Sequence, residues 1–176
     1  MDGIEARKSI DLNEIMHVSR ILYERLQKDG KLITFGNGGS AADAQHFAAE
    51  LSGKFLKERR SFPAIALTTN TSSVTAIGND YDYSKVFSRQ IEGLCFSNDF
   101  VVGITTSGNS ANVIEGIRKA REMGAFTLGL TGKDGGKLMK EVDHCIRVNS
   151  SFTPIIQEVH IAIIHMICYS FDAMLE

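Results

Sequence analysis

Five short apolar runs, each about the length of a buried strand, recur between longer stretches of helical periodicity, and this alternation limits the fold more than anything else in the chain. The runs are Leu32 to Phe35, Ala64 to Leu67, Phe100 to Ile104, Phe126 to Leu130 and Cys145 to Val148. Strands covered on both faces read as unbroken Val, Ile, Leu and Phe. The helical stretches are Asp11 to Lys28, Ser40 to Phe55, Ser84 to Leu94, Ala111 to Met123, Gly135 to Val142 and about Pro154 to Met174. Strand and helix in turn imply an α/β fold with a mostly parallel, doubly wound sheet. Gly30 and Gly124 follow helical periods, Ser40 and Ser110 stand where N-caps belong, and Pro154 suits a first turn.

With 176 residues, two of them Pro, and no low-complexity stretch, the chain reads as a single domain, residues 1–176, with residues 1–30 as an N-terminal helical extension packing on a partner subunit. The 19 basic and 21 acidic residues give a net charge of -2, which excludes nucleic-acid binding driven by counterion release. Cys95, Cys145 and Cys168 form no CxxC pair, so neither a disulfide framework nor a thiolate zinc site is expected and the thiols suit the cytoplasm. The opening MDGIEARKSID is charged where a signal peptide is apolar, and His165, Ser170 and Asp172 interrupt the most apolar segment, so neither export nor a membrane anchor is expected. The last helix carries Ile156, Ile161, Ile163, Ile164, Met166, Ile167 and Met174 around much of its circumference. It needs cover on most sides, so a homo-oligomer whose second subunit supplies that cover is expected, with burial inside one subunit as the alternative.

Two loops sit where an open α/β sheet meets its ligands, after a strand and before a helix. In the first, Gly36, Gly38 and Ala41 satisfy the G-x-G-x-x-[GA] pattern. A dinucleotide also needs an acid at the end of the next strand, and that strand runs into Thr68, Thr69 and Asn70, so no nucleotide cofactor is expected. The second loop gathers the hydroxyls of Thr105, Thr106, Ser107 and Ser110 at the start of a helix. Hydroxyls, backbone amides and a helix dipole can hold a phosphomonoester without a cation, although the same residues also cap helices that bind nothing.

The segments GNGGSAADAQHFAAEL, LTTNTSSVTAIGNDYDYSKVFSRQI, TTSGNSANV and QEVHIAIIH resemble the sugar isomerase (SIS) domain and, within it, the phosphoheptose isomerases. The resemblance implies a three-layer α/β/α sandwich, flavodoxin- or Rossmann-like, on a five-stranded parallel sheet, and a homotetramer whose active sites are shared between subunits. It implies an aldose–ketose isomerase converting sedoheptulose 7-phosphate to D-glycero-D-manno-heptose 7-phosphate, at the start of the heptose biosynthesis that feeds lipopolysaccharide. The family's substrate contacts fall on Asn37, Gly38, Gly39, Glu50, Asn79, Asp80, Thr105, Thr106, Ser107, Ser110 and Gln157. Its metal site, for one Zn2+ per subunit, falls on His46, Glu50, Gln157 and His165. Lys54 stands where many relatives have Arg, and Asn70 where they often have Asp. Two other readings are a non-catalytic SIS protein that binds the replication initiator DnaA and an isomerase of another sugar phosphate.

His46 and Glu50, four residues apart, share a face of the helix that leaves the first loop. In the last helix, a step of about 100° per residue places Glu158 nearly in line with His165 and Gln157 about 80° away. Periodicity therefore selects Glu158 as the partner of His165, whereas the resemblance selects Gln157. An aldose–ketose interconversion needs a base at carbon, an acid at oxygen and a fixed phosphate. Glu50 is expected as the base and His165 as its counterpart at the oxygens, although a carboxylate on zinc is a poorer base and the metal could instead be structural. His17, His144 and His160 sit in no comparable pattern.

Overall fold

The computed structural model describes residues 3–175. Met1, Asp2 and Glu176, the ends of the single domain expected from the sequence, lie outside the described residues. The strands are β1 (Leu32–Gly36), β2 (Ala64–Ala66), β3 (Phe100–Thr105), β4 (Phe126–Gly132) and β5 (His144–Val148). All pair in parallel, in the order β2-β1-β3-β4-β5. The helices are α1 (Gly3–Lys8), α2 (Leu12–Leu26), α3 (Gly39–Ser52), α4 (Thr71–Asp80), α5 (Ser88–Leu94), α6 (Ala111–Glu122) and α7 (Thr153–Ala173). Each expected strand is present at its expected place.

Successive strand residues point to opposite sides of the sheet, so the sheet feeds two cores. Phe100, Val102 and Ile104 enter one core with residues of α2, α3 and α7. Ile33, Phe35 and Val101 enter the other with residues of α5 and α6. Asp11 caps α2 by accepting the Asn13 backbone N–H at 2.8 Å, and the helix then buries Ile15, Val18, Leu22 and Leu26 on one face. That face packs on α7 of the same chain, so the N-terminal extension itself supplies part of the cover that α7 needs. By length and composition α7 could cross a membrane. Here Ile156, Val159, Ile163, Ile164, Ile167 and Phe171 are buried in the first core.

Three local expectations are corrected. The helix expected at Gly135 to Val142 is one 3-10 turn, Leu138–Lys140. Gly135 and Gly136 adopt φ of 85° and 56°, a left-handed backbone that cannot start a right-handed helix, and Gly136 packs against Gly108 so closely that a Cβ would lie 2.7 Å from its backbone. The stretch Ser84 to Leu94 is a short turn, Tyr83–Lys85, followed by α5. Ser40 lies inside α3, whose cap position is Gly38. Gly30 follows α2 as expected, after Asp29 takes a left-handed φ of 59°. The sequence reading also left α1 and α4 unassigned.

His160, on the inner face of α7, is wholly buried, and neither ring nitrogen has a hydrogen-bond partner. Burial pushes its pKa down to about 4, opposed in direction by the Thr131 backbone. A folded pKa below the unfolded value near 6.5 means that stability is intact above that value and is lost as pH falls toward 4. Between pH 7 and pH 5 the loss from this one group is about 2 kcal/mol. Urea unfolding at the two pH values is expected to show a smaller acid loss for His160→Leu than for the parent chain.

Candidate active site

The strand order turns back at β1, so the connections leaving β1 and β3 diverge to opposite sides of the sheet and open a crevice at their C-terminal ends. Both loops singled out in the sequence lie at this crevice. They are tied together by a reciprocal amide pair: Asn37 Nδ2 donates to Asn112 Oδ1 and Asn112 Nδ2 donates to Asn37 Oδ1, each at 2.8 Å. Tyr83 OH donates a third bond to Asn37 Oδ1 at 3.3 Å. In the second loop Thr105 Oγ1 lies 2.9 Å from Ser110 Oγ and 3.4 Å from Ser107 Oγ. The Gly132 N–H donates to the Thr106 carbonyl and the Leu138 N–H to the Gly108 carbonyl, so backbone following β4 braces this loop. Neutral donors converge at the start of α6, which suits an anion.

The catalytic pair expected from the sequence meets further along α3. His46 Nε2 lies 2.7 Å from Glu50 Oε1 and 3.2 Å from His165 Nε2 on α7. Phe55 stacks on the His165 ring at 5.8 Å. The single Nε2 proton of a neutral His46 can serve only one of these neighbours. A cation would accept a lone pair from all three, and the three ligand atoms lie within 4.8 Å of one another. Two imidazoles and a carboxylate fit a zinc-type ion.

The Gln157 amide packs on Gly39 at the start of α3, where a Cβ would lie 2.2 Å from Nε2. Since Gly39 neighbours Gln157 and His46 neighbours His165, α3 and α7 run side by side in one direction. Glu158, the partner favoured by periodicity, instead pairs with Arg7 of α1 at 3.1 Å. Asn79 and Asp80 close α4, joined by an Asn79 Nδ2 to Asp80 Oδ1 bond of 2.8 Å. Lys54 pairs with Glu58 at 2.6 Å, and Asn70 caps α4 by accepting the Ser73 N–H at 3.0 Å. All three cysteines are free thiols.

A family model of the SIS domain matches residues 4–132. A Thermoplasma volcanium protein named "Probable phosphoheptose isomerase" is 56% identical over 97% of this chain and 87% of its own length. The phosphoheptose isomerase of Aliarcobacter butzleri is 54% identical over 88% of this chain and 82% of its own. The solved phosphoheptose isomerase of Neisseria gonorrhoeae superposes with a TM-score of 0.92 at 43% identity, covering 98% of this chain and 94% of that one. The chain belongs to the phosphoheptose isomerase family of SIS domains.

Three residues that support this isomerase site were not legible in the sequence. Asp43, one turn before His46, has a buried Oδ2 without a partner, and burial lifts its pKa to about 6 against the pull of His46. Asn112 is the buried half of the amide pair. Arg59 forms a buried ion pair with Asp172 near the end of α7, Nε to Oδ1 at 2.8 Å. Its guanidinium also donates to the backbone carbonyls of Glu50 and Leu51, at 2.7 and 3.1 Å. Asp172 also accepts the Leu56 and Lys57 N–H groups. Burial alone would raise the Asp172 carboxyl, but its bonds to Arg59, Lys57 and Leu56 hold it below the usual carboxylate range.

Asp172→Ala strands a buried guanidinium and is expected to cost about 3–5 kcal/mol in urea unfolding. The double substitution Arg59→Met with Asp172→Leu removes both charges and is expected to recover most of that loss.

Proposed function

We propose that this chain interconverts sedoheptulose 7-phosphate and D-glycero-D-manno-heptose 7-phosphate through a cis-enediol. The name shared by the relatives supplies the substrate, and it favours catalysis over a role in binding a replication initiator. The observation that carries the reading is the meeting of His46 and Glu50 with His165, a residue 119 positions from His46 in the chain.

In this reading the phosphate rests on the hydroxyls of Thr105, Thr106, Ser107 and Ser110 and the amides at the start of α6. Asn37, Gly38 and Gly39 line the crevice, Gln157 reaches the sugar beside Gly39, and Asn79 with Asp80 complete the substrate contacts. Glu50 removes a proton from C1 of the ketose, and the C–H electrons form the C1–C2 double bond of the enediol. His165 delivers a proton to the C2 oxygen. Return of the first proton to C2, with loss of the C1 hydroxyl proton to His165, gives the aldose; atoms and charge balance without a redox cofactor. His46, Glu50 and His165, with Gln157 as a fourth donor, would hold one Zn2+. Such an ion polarises a carbonyl and stabilises enediolate charge. Glu50 is then shared between ligand and base.

We assign a homotetramer with shared sites. Supporting it are the exposed Leu12, Met16 and Tyr169 and an apolar cleft of about 430 Å³ that they line beside His165. The outer face of the N-terminal extension would meet the partner there. A cytoplasmic location fits three free thiols and a phosphorylated metabolite.

Purified chain incubated with sedoheptulose 7-phosphate is expected to form the aldose; no aldose with or without added Zn2+ would refute the proposal. Glu50→Gln should cut turnover at least about 100-fold with an unchanged circular dichroism spectrum. Ser110→Ala, which removes one donor to a charged group, should raise KM roughly tenfold or more while kcat moves less.

A further inference from the structure

Tyr83 crosses from the end of α4 to the first loop. The turn Tyr83–Lys85 stands just after α4, and Asp82 fixes its start by accepting the Ser84 N–H at 2.8 Å. The Tyr83 ring then lies over Gly78 of α4, where a Cβ would stand 3.7 Å from it. Its hydroxyl reaches Asn37 Oδ1 at 3.3 Å. A phenol that is 57% exposed is thereby held at the edge of the crevice, on the same segment as Asn79 and Asp80.

The direction of each hydrogen bond along this edge is fixed. A backbone N–H can only donate, so the Val113 N–H, 3.0 Å from the Asn112 amide, makes the atom it meets the oxygen. Asn112 Nδ2 therefore donates, at 2.8 Å, and the Asn37 atom facing it is Oδ1. Tyr83 meets that same oxygen, so its one proton is spent there and its own oxygen is left as an acceptor. Asn37 Nδ2 gives one N–H to Asn112 and, among the described residues, keeps the other. The edge thus offers a ligand one acceptor beside one donor. A phosphate dianion has no proton to give to an acceptor, whereas a sugar hydroxyl both gives and takes a hydrogen bond.

We propose that Tyr83 is a specificity-determining residue of this site: its oxygen accepts a hydrogen bond from a hydroxyl of the sugar chain, beside the remaining N–H of Asn37. Asn112 is the positioning residue that keeps both groups turned that way. The proposal rests on the sugar-phosphate reading above and adds to it a contact with the carbon chain that the phosphate does not share.

The test is calorimetric titration of the full chain carrying Glu50→Gln, whose turnover is slow, with sedoheptulose 7-phosphate and inorganic phosphate as separate probes. Adding Tyr83→Phe keeps the ring over Gly78 and removes only the hydroxyl. It should weaken the sugar phosphate about tenfold and leave inorganic phosphate unchanged. Adding Asn112→Ala should weaken the sugar phosphate by a similar factor. In that background Tyr83→Phe should cost little more, because the amide that orients the phenol is already free to turn. With Glu50 in place, Tyr83→Phe should raise KM for the ketose and change kcat little. Sugar binding that ignores Tyr83→Phe, or equal weakening of both probes, overturns the contact. Losses that simply add overturn the role given to Asn112. Where Asn112→Ala does not fold, Tyr83→Phe at its exposed position decides the proposal by itself. A chain that binds the sugar phosphate through Tyr83 yet forms no aldose with Glu50 in place would refute the isomerase reading and uphold this contact.

Discussion

The close approach of α3 to α7 is the constraint on which the candidate site rests. One helix brings His46 and Glu50, the other brings His165, and no other pairing of elements would put these three side chains within bonding reach of one atom. The approach is fixed at both ends. At the start, Gly39 has no side chain, and any Cβ there would collide with the Gln157 amide. At the far end, Arg59 grips the last carbonyls of α3 with one edge of its guanidinium and Asp172 of α7 with another. A buried ion pair of this kind is weak evidence for net stability. Its geometric effect is firmer, because a planar guanidinium bonded on several sides leaves the two helix ends little freedom to slide.

The other half of the site is built without charge. A cationic side chain in the second loop would bind a phosphate strongly, but it would also be a buried charge whenever the site was free. Hydroxyls and backbone amides avoid that penalty, and the bonds among Thr105, Ser107 and Ser110 keep the donors satisfied in the meantime. The reciprocal pair of Asn37 and Asn112 then sets the first loop against the second across the switch point, so the two loops act as one surface.

The sheet was legible because strands buried on both faces spell apolar runs, and all five runs became strands. Helix α4 was not legible: TSSVTAIGND holds several poor helix formers and buries no residue fully. It is held by its Asn70 cap and by Thr75 Oγ1 donating to the Thr71 carbonyl. Spacing put His46 and Glu50 on one face and the family resemblance added His165, but that the three side chains meet is visible only in the fold. Periodicity pointed to Glu158 because it counts angle around one helix and not what stands opposite, and opposite Glu158 stands Arg7. Arg59 was invisible for a similar reason. Within the charged run Lys57 to Arg60 it looks like solvated surface, and its partner is 113 residues away.

In the subunit taken alone, the His46 side chain keeps 42% of its surface exposed and that of Glu50 keeps 20%. An enediol formed there would meet solvent, which exchanges protons with the intermediate and weakens every charge interaction that stabilises it. The chain's own elements cover one side of the cluster through Phe55. On the other side the cleft beside His165 is apolar and bordered by side chains that a soluble surface rarely leaves together in the open. A second copy laid on α2 and α7 would bury those side chains and exclude water from the proposed proton transfers in the same step. Assembly and catalysis would then share one cause, the apolar outer face of the two helices whose inner faces carry the core.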